Sequence, residues 1–130
     1  MSQPVSDLQE MLAGMEPVML EEHGWVFEQE DEEEPLFEIP FAVIREEEGT
    51  TLICSADQAD DLPGFARITL KVHSDLKGVG LTAAVSGALA QQGIACNVVA
   101  GFHHDHIFVP WERRLEALEL LRRLSQDARR

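Results

Sequence analysis

Between residues 74 and 81 the chain reads Ser-Asp-Leu-Lys-Gly-Val-Gly-Leu, a short polar loop that ends in two closely spaced glycines and opens a helix-forming run. Gly78 and Gly80 can take backbone conformations closed to other residues. Amide groups left free there, at the positive end of a helix, suit a small anion such as a carboxylate. The backbone amides of Gly78, Val79, Gly80 and Leu81 are the candidate donors. An ammonium on the same ligand needs acceptors, for which Asp75, the side chain of Asn97 and carbonyls of the following strand are candidates. A plainer requirement fits the same residues: a tight strand-to-helix turn in which glycine serves packing alone.

His103, His104 and His106, with Asp105 and Cys96 near in sequence, are the other set with chemical potential. Zinc or iron takes such ligands, but on a strand His104 and His106 share one face while His103 and Asp105 point the other way. Two local ligands are too few, and a third would have to come from His23 or His73, so no metal and no cofactor is assigned. The cluster reads as a polar hairpin or interface. Cys54 and Cys96 match no redox or zinc spacing and read as buried thiols. No ordered Ser-His-Asp set, nucleophile motif or phosphate loop is present, and the expectation is a protein that is not an enzyme.

The 130 residues carry a net charge of −14, unevenly spread. Residues 1–64 hold 18 acids against Arg45 alone, a net of −17, and residues 65–130 hold 6 acids and 9 bases, a net of +3. The halves should attract each other, while the acidic excess repels phosphate backbones and argues against nucleic-acid binding. The run Glu28 to Glu34 has no fixed coordination geometry and reads as a solvated loop or as a face for a basic protein partner. No apolar run reaches the roughly 18 residues that a membrane span needs, and Met1–Asp7 lacks a basic start or apolar core. A cytoplasmic protein without membrane attachment is expected.

These groups need elements to hold them. Ser6 is placed to cap a helix with Leu8, Met11, Leu12 and Met15 on one side, ending near Gly14. Trp25–Phe27 reads as a strand. The stretch Phe37 to Ile44 turns at Glu46–Gly49 into Thr50–Cys54 as a hairpin. Ser55–Asp57 can cap a short helix, and Leu62-Pro63-Gly64 joins the halves. Ile68, Leu70 and Val72 alternate with polar residues as a half-buried strand. Leu81, Ala84, Val85, Ala88 and Leu89 form a helical stripe that stops at Gly93. Strands follow at Ile94–Ala100 and Ile107–Val109. The last helix opens at Trp111 with Leu115, Leu118, Leu121 and Leu124 as its apolar side. This βαββα unit lacks a fourth strand, and taking one from the first half would cover an open edge.

The pattern Val79-Gly80-Leu81-Thr82-Ala83-Ala84-Val85, followed by Leu89-Ala90-Gln91-Gln92-Gly93-Ile94, resembles the ACT domain, over about residues 66–121. ACT domains usually place Pro-Gly-Val where this chain has Val79-Gly80-Leu81. The segment Asn97 to Pro110 and the stretch Arg45 to Leu52 extend the likeness to small tandem ACT-like proteins related to the regulatory part of aspartokinases. That resemblance implies an α+β fold of two interlocked ferredoxin-like units with antiparallel sheets and helices on one face of each. The expected units are a degenerate ACT-like one over 1–64 and an ACT domain over 65–130. The implied function is a non-catalytic regulatory module that binds a small molecule, an amino acid by family habit, in a homodimer. The family's site carried across falls on Ser74, Asp75, Lys77, Gly78, Val79, Gly80, Leu81, Asn97, Val98 and Val99. The competing reading is a protein-interaction module whose ligand site has been lost.

Overall fold

The structure is a computed structural model that describes residues 3–20, 22–33, 39–56 and 64–130. Expectations resting on Glu34, Phe37, Asp57, Leu62 and Pro63 lie outside the described residues. Helix α1 spans Leu8–Ala13, and Asp7 caps it in place of Ser6, its carboxylate accepting from the Glu10 amide at 2.9 Å. Asp7 adds a negative charge at the helix's positive end, which Ser6 cannot. Pro17 then opens β1, Pro17–Val18. Strands β2 (Trp25–Gln29), β3 (Ala42–Glu46) and β4 (Gly49–Ser55) follow, β3 and β4 pairing as the expected hairpin with Glu46 opposite Gly49. Ser55 ends β4, and the short helix expected after it lies outside the described residues.

The second half supplies β5 (Phe65–Leu70), α2 (Leu81–Gln91), β6 (Asn97–Ala100), β7 (Asp105–Pro110), a 3₁₀ turn at Trp111–Arg113 and α3 (Arg114–Ala128). Helix α2 stops where the glycine predicts. Gly93 has φ +71°, its amide bonds the Ala90 carbonyl at 2.9 Å, and the Ile94 amide bonds that of Leu89 at 3.0 Å. This is the Schellman arrangement, which needs a left-handed residue after the helix. It also draws Ile94 under the helix, so the strand begins only at Asn97.

All the strands join one antiparallel sheet in the order β3-β4-β2-β5-β7-β6, with β1 also lying against β5. Pro17 and Val18 register with Leu70 and Thr69, whereas Trp25 registers with Phe65. Residues 19, 20 and 22–24 loop out between them. Together β1 and Trp25 cover the flank of β5 where a fourth strand of the second unit belongs, so the first half does lend the missing edge.

The sheet buries both faces. Ala66, Ile68 and Leu70 of β5, with Ile107 and Val109 of β7, meet Leu81, Val85 and Leu89 of α2 and Ala117, Leu118 and Leu121 of α3. Each of the leucine, isoleucine and valine side chains contributes about 1.5–3 kcal/mol when taken out of water. Met11 joins this core because α1 lies in the same helix layer, where Ser125 Oγ and Arg129 Nε both donate to the Ala13 carbonyl, at 3.2 and 2.9 Å. On the other face the sheet curls upon itself, and Trp25, Ile53 and Phe108 form a second cluster with Phe41, Phe65 and Val99 packed around it. Leu115 departs from its expected place and is 66 % exposed. A run of i+3 steps drifts by about 60° each time against the helical period, so Leu115 leaves the stripe that Ala117, Leu118 and Leu121 define.

Candidate functional site

The loop after β5 is tied to the N-terminal segment before it reaches its glycines. The Val5 amide bonds the His73 carbonyl, and the Asp75 amide bonds that of Val5, both at 2.8 Å. Asp75 Oδ1 then accepts from the Lys77 amide at 2.9 Å, and the Gly78 amide from its own side donates to the Asp75 carbonyl at 2.8 Å. This side-chain-closed turn is a habit of aspartate. It also engages the Gly78 amide, one of the expected donors. Gly80 has φ +107° and caps α2 with no side-chain bond, which leaves the amides of Leu81, Thr82 and Ala83 without an acceptor among the described residues. A Cβ on Gly80 would stand 3.0 Å from Leu8 Cδ2, and one on Gly78 would stand 3.2 Å from the Met11 thioether. Both glycines thus meet a close neighbour on α1, and Gly80 meets a left-handed backbone as well.

Beside that turn lies a cleft of about 450 Å³. Ser74, Asp75, Gly78, Gly80 and Leu81 of the candidate set lie around it, together with Met11, Leu76, Thr82, Ala83, Ala100 and Asp105. Ser74 Oγ donates to Asp105 Oδ2 at 3.4 Å. Burial pushes the Asp105 carboxyl above its ordinary pKa, an effect that the Ser74 hydrogen bond and nearby His104 oppose. A half-buried carboxylate in this position gains from a cation brought close to it. The cleft therefore combines helix amides without acceptors among the described residues, which suit an anion, with a half-buried carboxylate, which suits a cation.

The remaining expected residues lie elsewhere. Lys77 and Val79 are on the same loop but face solvent. Asn97 is opposite Phe108, Val98 packs into the helix-side core and Val99 into the second cluster, so none of these three lines the cleft. The strand contributes instead through Ala100, opposite Asp105 at the hairpin's end. Pleat alternation from Val98 could have pointed to Ala100 and its partner. Nothing local in the sequence points to Met11.

The histidines serve other contacts. His106 Nδ1 lies 3.0 Å from Thr69 Oγ1 and its ring meets Phe41 edge-on at 4.9 Å. Burial, with Arg67 and His104 adding to it, lowers its pKa to about 4, so the ring is neutral at pH 7. The rings of His73 and Phe102 both lie against His103, at 5.5 and 5.0 Å. Among the described residues no three histidine, cysteine or acidic side chains converge as metal ligands. Arg67 sits between Trp25 and Phe41, its Cζ 4.3 and 4.2 Å from the two ring centroids, and joins the sheets' two halves by cation–π contact.

The second half is a βαββα unit with a lent fourth strand and a glycine turn at its first helix, the ferredoxin-like arrangement. The chain belongs to the ACT-domain proteins: ACT domain models match residues 3–64 and 66–123, a tandem arrangement. A crystal structure from Vibrio cholerae, of a protein of unknown function described as a possible transport protein, is 38% identical. It matches over 91% of this chain and 95% of its own, with a TM-score of 0.72. A protein from Agrobacterium tumefaciens shares the fold at 18% identity and TM-score 0.62, over 79% of this chain and 84% of its own. None of the curated proteins matches this chain. ACT domains are often regulatory ligand-binding modules rather than catalysts. No helix among the described residues is long and apolar enough to cross a membrane.

Proposed function

We propose that this protein is a non-catalytic regulatory module that binds a free amino acid in the cleft between the 74–81 turn and Asp105. The observation that carries the reading is the pairing of acceptor-less amides of Leu81, Thr82 and Ala83 with the half-buried Asp105 carboxyl in one cleft. The helix amides and dipole receive the ligand's carboxylate, while Asp105, with Asp75 beside it, receives the ammonium. Units 1–64 and 65–130 act as one body in this reading, the first walling a site on the second. A cytoplasmic homodimer is part of the proposal. Among the described residues the outer strands β3 and β6 have no strand on their far edges, and β3 exposes Val43 and Ile44, which favours pairing between copies.

Thermal unfolding of the purified chain against the twenty amino acids at millimolar concentration tests it. A ligand at 100 times its Kd adds about 2.7 kcal/mol, roughly 10 °C for a chain of this size. Asp105→Asn should abolish the shift while keeping the Ser74 contact, and Gly80→Val should abolish it by disturbing the turn. A screen with no hit would reject the ligand reading in favour of a protein-interaction module using the exposed acids Glu30 to Glu33.

A further inference from the structure

The ligand reading leaves open which amino acid, and the wall contributed by α1 bears on that. Met11 reaches the cleft although it belongs to the N-terminal half; it is fully buried, so it stands behind the wall at Gly78 and backs it instead of presenting surface of its own. Its Sδ and Cε occupy the space that a side chain at position 78 would need, 3.2 Å from the Gly78 Cβ direction. Helix α1 is fastened at several points. Ser125 and Arg129 hold the Ala13 carbonyl, Gln9 Nε2 donates to the Ala128 carbonyl at 3.3 Å, Leu8 lies against Gly80, and Val5 is strapped to His73 and Asp75. The thioether's position is therefore set by the helix layer and not by the loop it touches.

Once the polar groups are assigned to a ligand's carboxylate and ammonium, the Thr82 hydroxyl is left beside an otherwise apolar lining of Leu76, Leu81, Ala83 and Ala100, with Met11 behind it. Among the described residues no cationic side chain lines the cleft, and Asp75 and Asp105 oppose an acidic ligand side chain. The carboxylates are also partly committed, Asp75 to the Lys77 amide and Asp105 to the Ser74 hydroxyl. Resting on the amino-acid reading above, we infer that the ligand carries an apolar side chain and that Met11 sets its permitted size. Methionine suits the task because its unbranched, polarizable chain fits itself to irregular space. Specificity of a site on the second unit is thus decided by a residue of the first.

Calorimetric titration of the full chain with alanine, valine, leucine, methionine, phenylalanine, lysine and glutamate tests this, on the wild type and on Met11→Leu and Met11→Val. The wild type should bind one apolar amino acid at least about ten-fold tighter than lysine or glutamate. Shortening the wall by Met11→Val should move the preference about ten-fold toward a bulkier apolar side chain, the scale of one or two methylenes in a pocket. Met11→Leu conserves volume and keeps the variant set informative if Met11→Val does not fold, because its branched end must still change the ranking. A preference for lysine or glutamate, or the same ranking in every folded variant, overturns the inference and leaves amino-acid binding intact. No binding by any of the seven to the wild type overturns both.

Discussion

Two glycines share one backbone conformation but not one environment, and alanine at each separates strain from collision. Gly64 has φ +67° and Gly93 has φ +71°. A Cβ on Gly93 meets nothing within 4 Å, whereas one on Gly64 would collide with the Trp25 carbonyl oxygen and reach 3.2 Å from Val26 Cγ1. Gly93→Ala should therefore carry only the left-handed penalty, about 1 kcal/mol. Gly64→Ala carries that penalty and must also push β2 from β5 at Trp25–Phe65, the one registered pair that joins them. Backbone displacement by overpacking adds about 1–3 kcal/mol, for a total near 3 kcal/mol. Urea unfolding followed by tryptophan fluorescence reads both, and the midpoints should fall with the slope unchanged. In thermal terms the losses are roughly 4 °C and 10 °C. Equal losses within about 0.5 kcal/mol would refute the claim that the joint between the halves is a close backbone contact.

Other outcomes follow from the same contacts. The folded pKa of His106 is lowered to about 4 from an ordinary 6.5. Its contribution is therefore complete above pH 6.5 and is lost as pH falls from 6.5 toward 4, where the unfolded chain takes up a proton that the folded one resists. Raised Asp105 works in the opposite direction at the acid end, so the measurement is the difference between wild type and His106→Gln, whose stability profile should be flatter over that window. An identical profile would refute the assignment. Arg67→Lys replaces a planar guanidinium between Trp25 and Phe41 with a point charge and should cost about 1–2 kcal/mol, checked by urea unfolding; no loss would show that stacking is idle. Leu121→Ala should cost about 2–5 kcal/mol and Leu115→Ala less than about 0.5 kcal/mol, and similar losses would contradict the face that α3 buries.

Sequence period and glycine placement made some elements legible and left others hidden, for definite reasons. The stripe of α2 and its stop at Gly93 are local facts, written in spacing and in one residue's left-handed preference. The β3–β4 hairpin is equally local. Helix α1 was legible as a helix but not in its cap, because Ser6 and Asp7 are both good caps and only the position of the chain on β5 chooses between them. Strand β1 is two residues long and exists only because Leu70 and Thr69 offer an edge. Leu115 read as buried because a three-residue spacing looks periodic over one turn and fails over two.

The candidate site divides along the same line. Its turn was visible because glycine and aspartate announce backbone geometry, yet Asp105 and Met11 arrive from a hairpin register and from a helix more than sixty positions upstream. The place of Met11 has a definite cause. The second unit has no fourth strand of its own, so the first half must lie along β5, and once β1 is laid there the short connection from α1 puts that helix over the start of α2. Leu8 and Met11 then occupy the room that side chains at positions 80 and 78 would take, which ties those two glycines to the lent strand. A substitution that loosens β1 from β5 should consequently open the cleft's α1 wall before it unfolds the second core, and the site's shape is a property of the interlock rather than of either half.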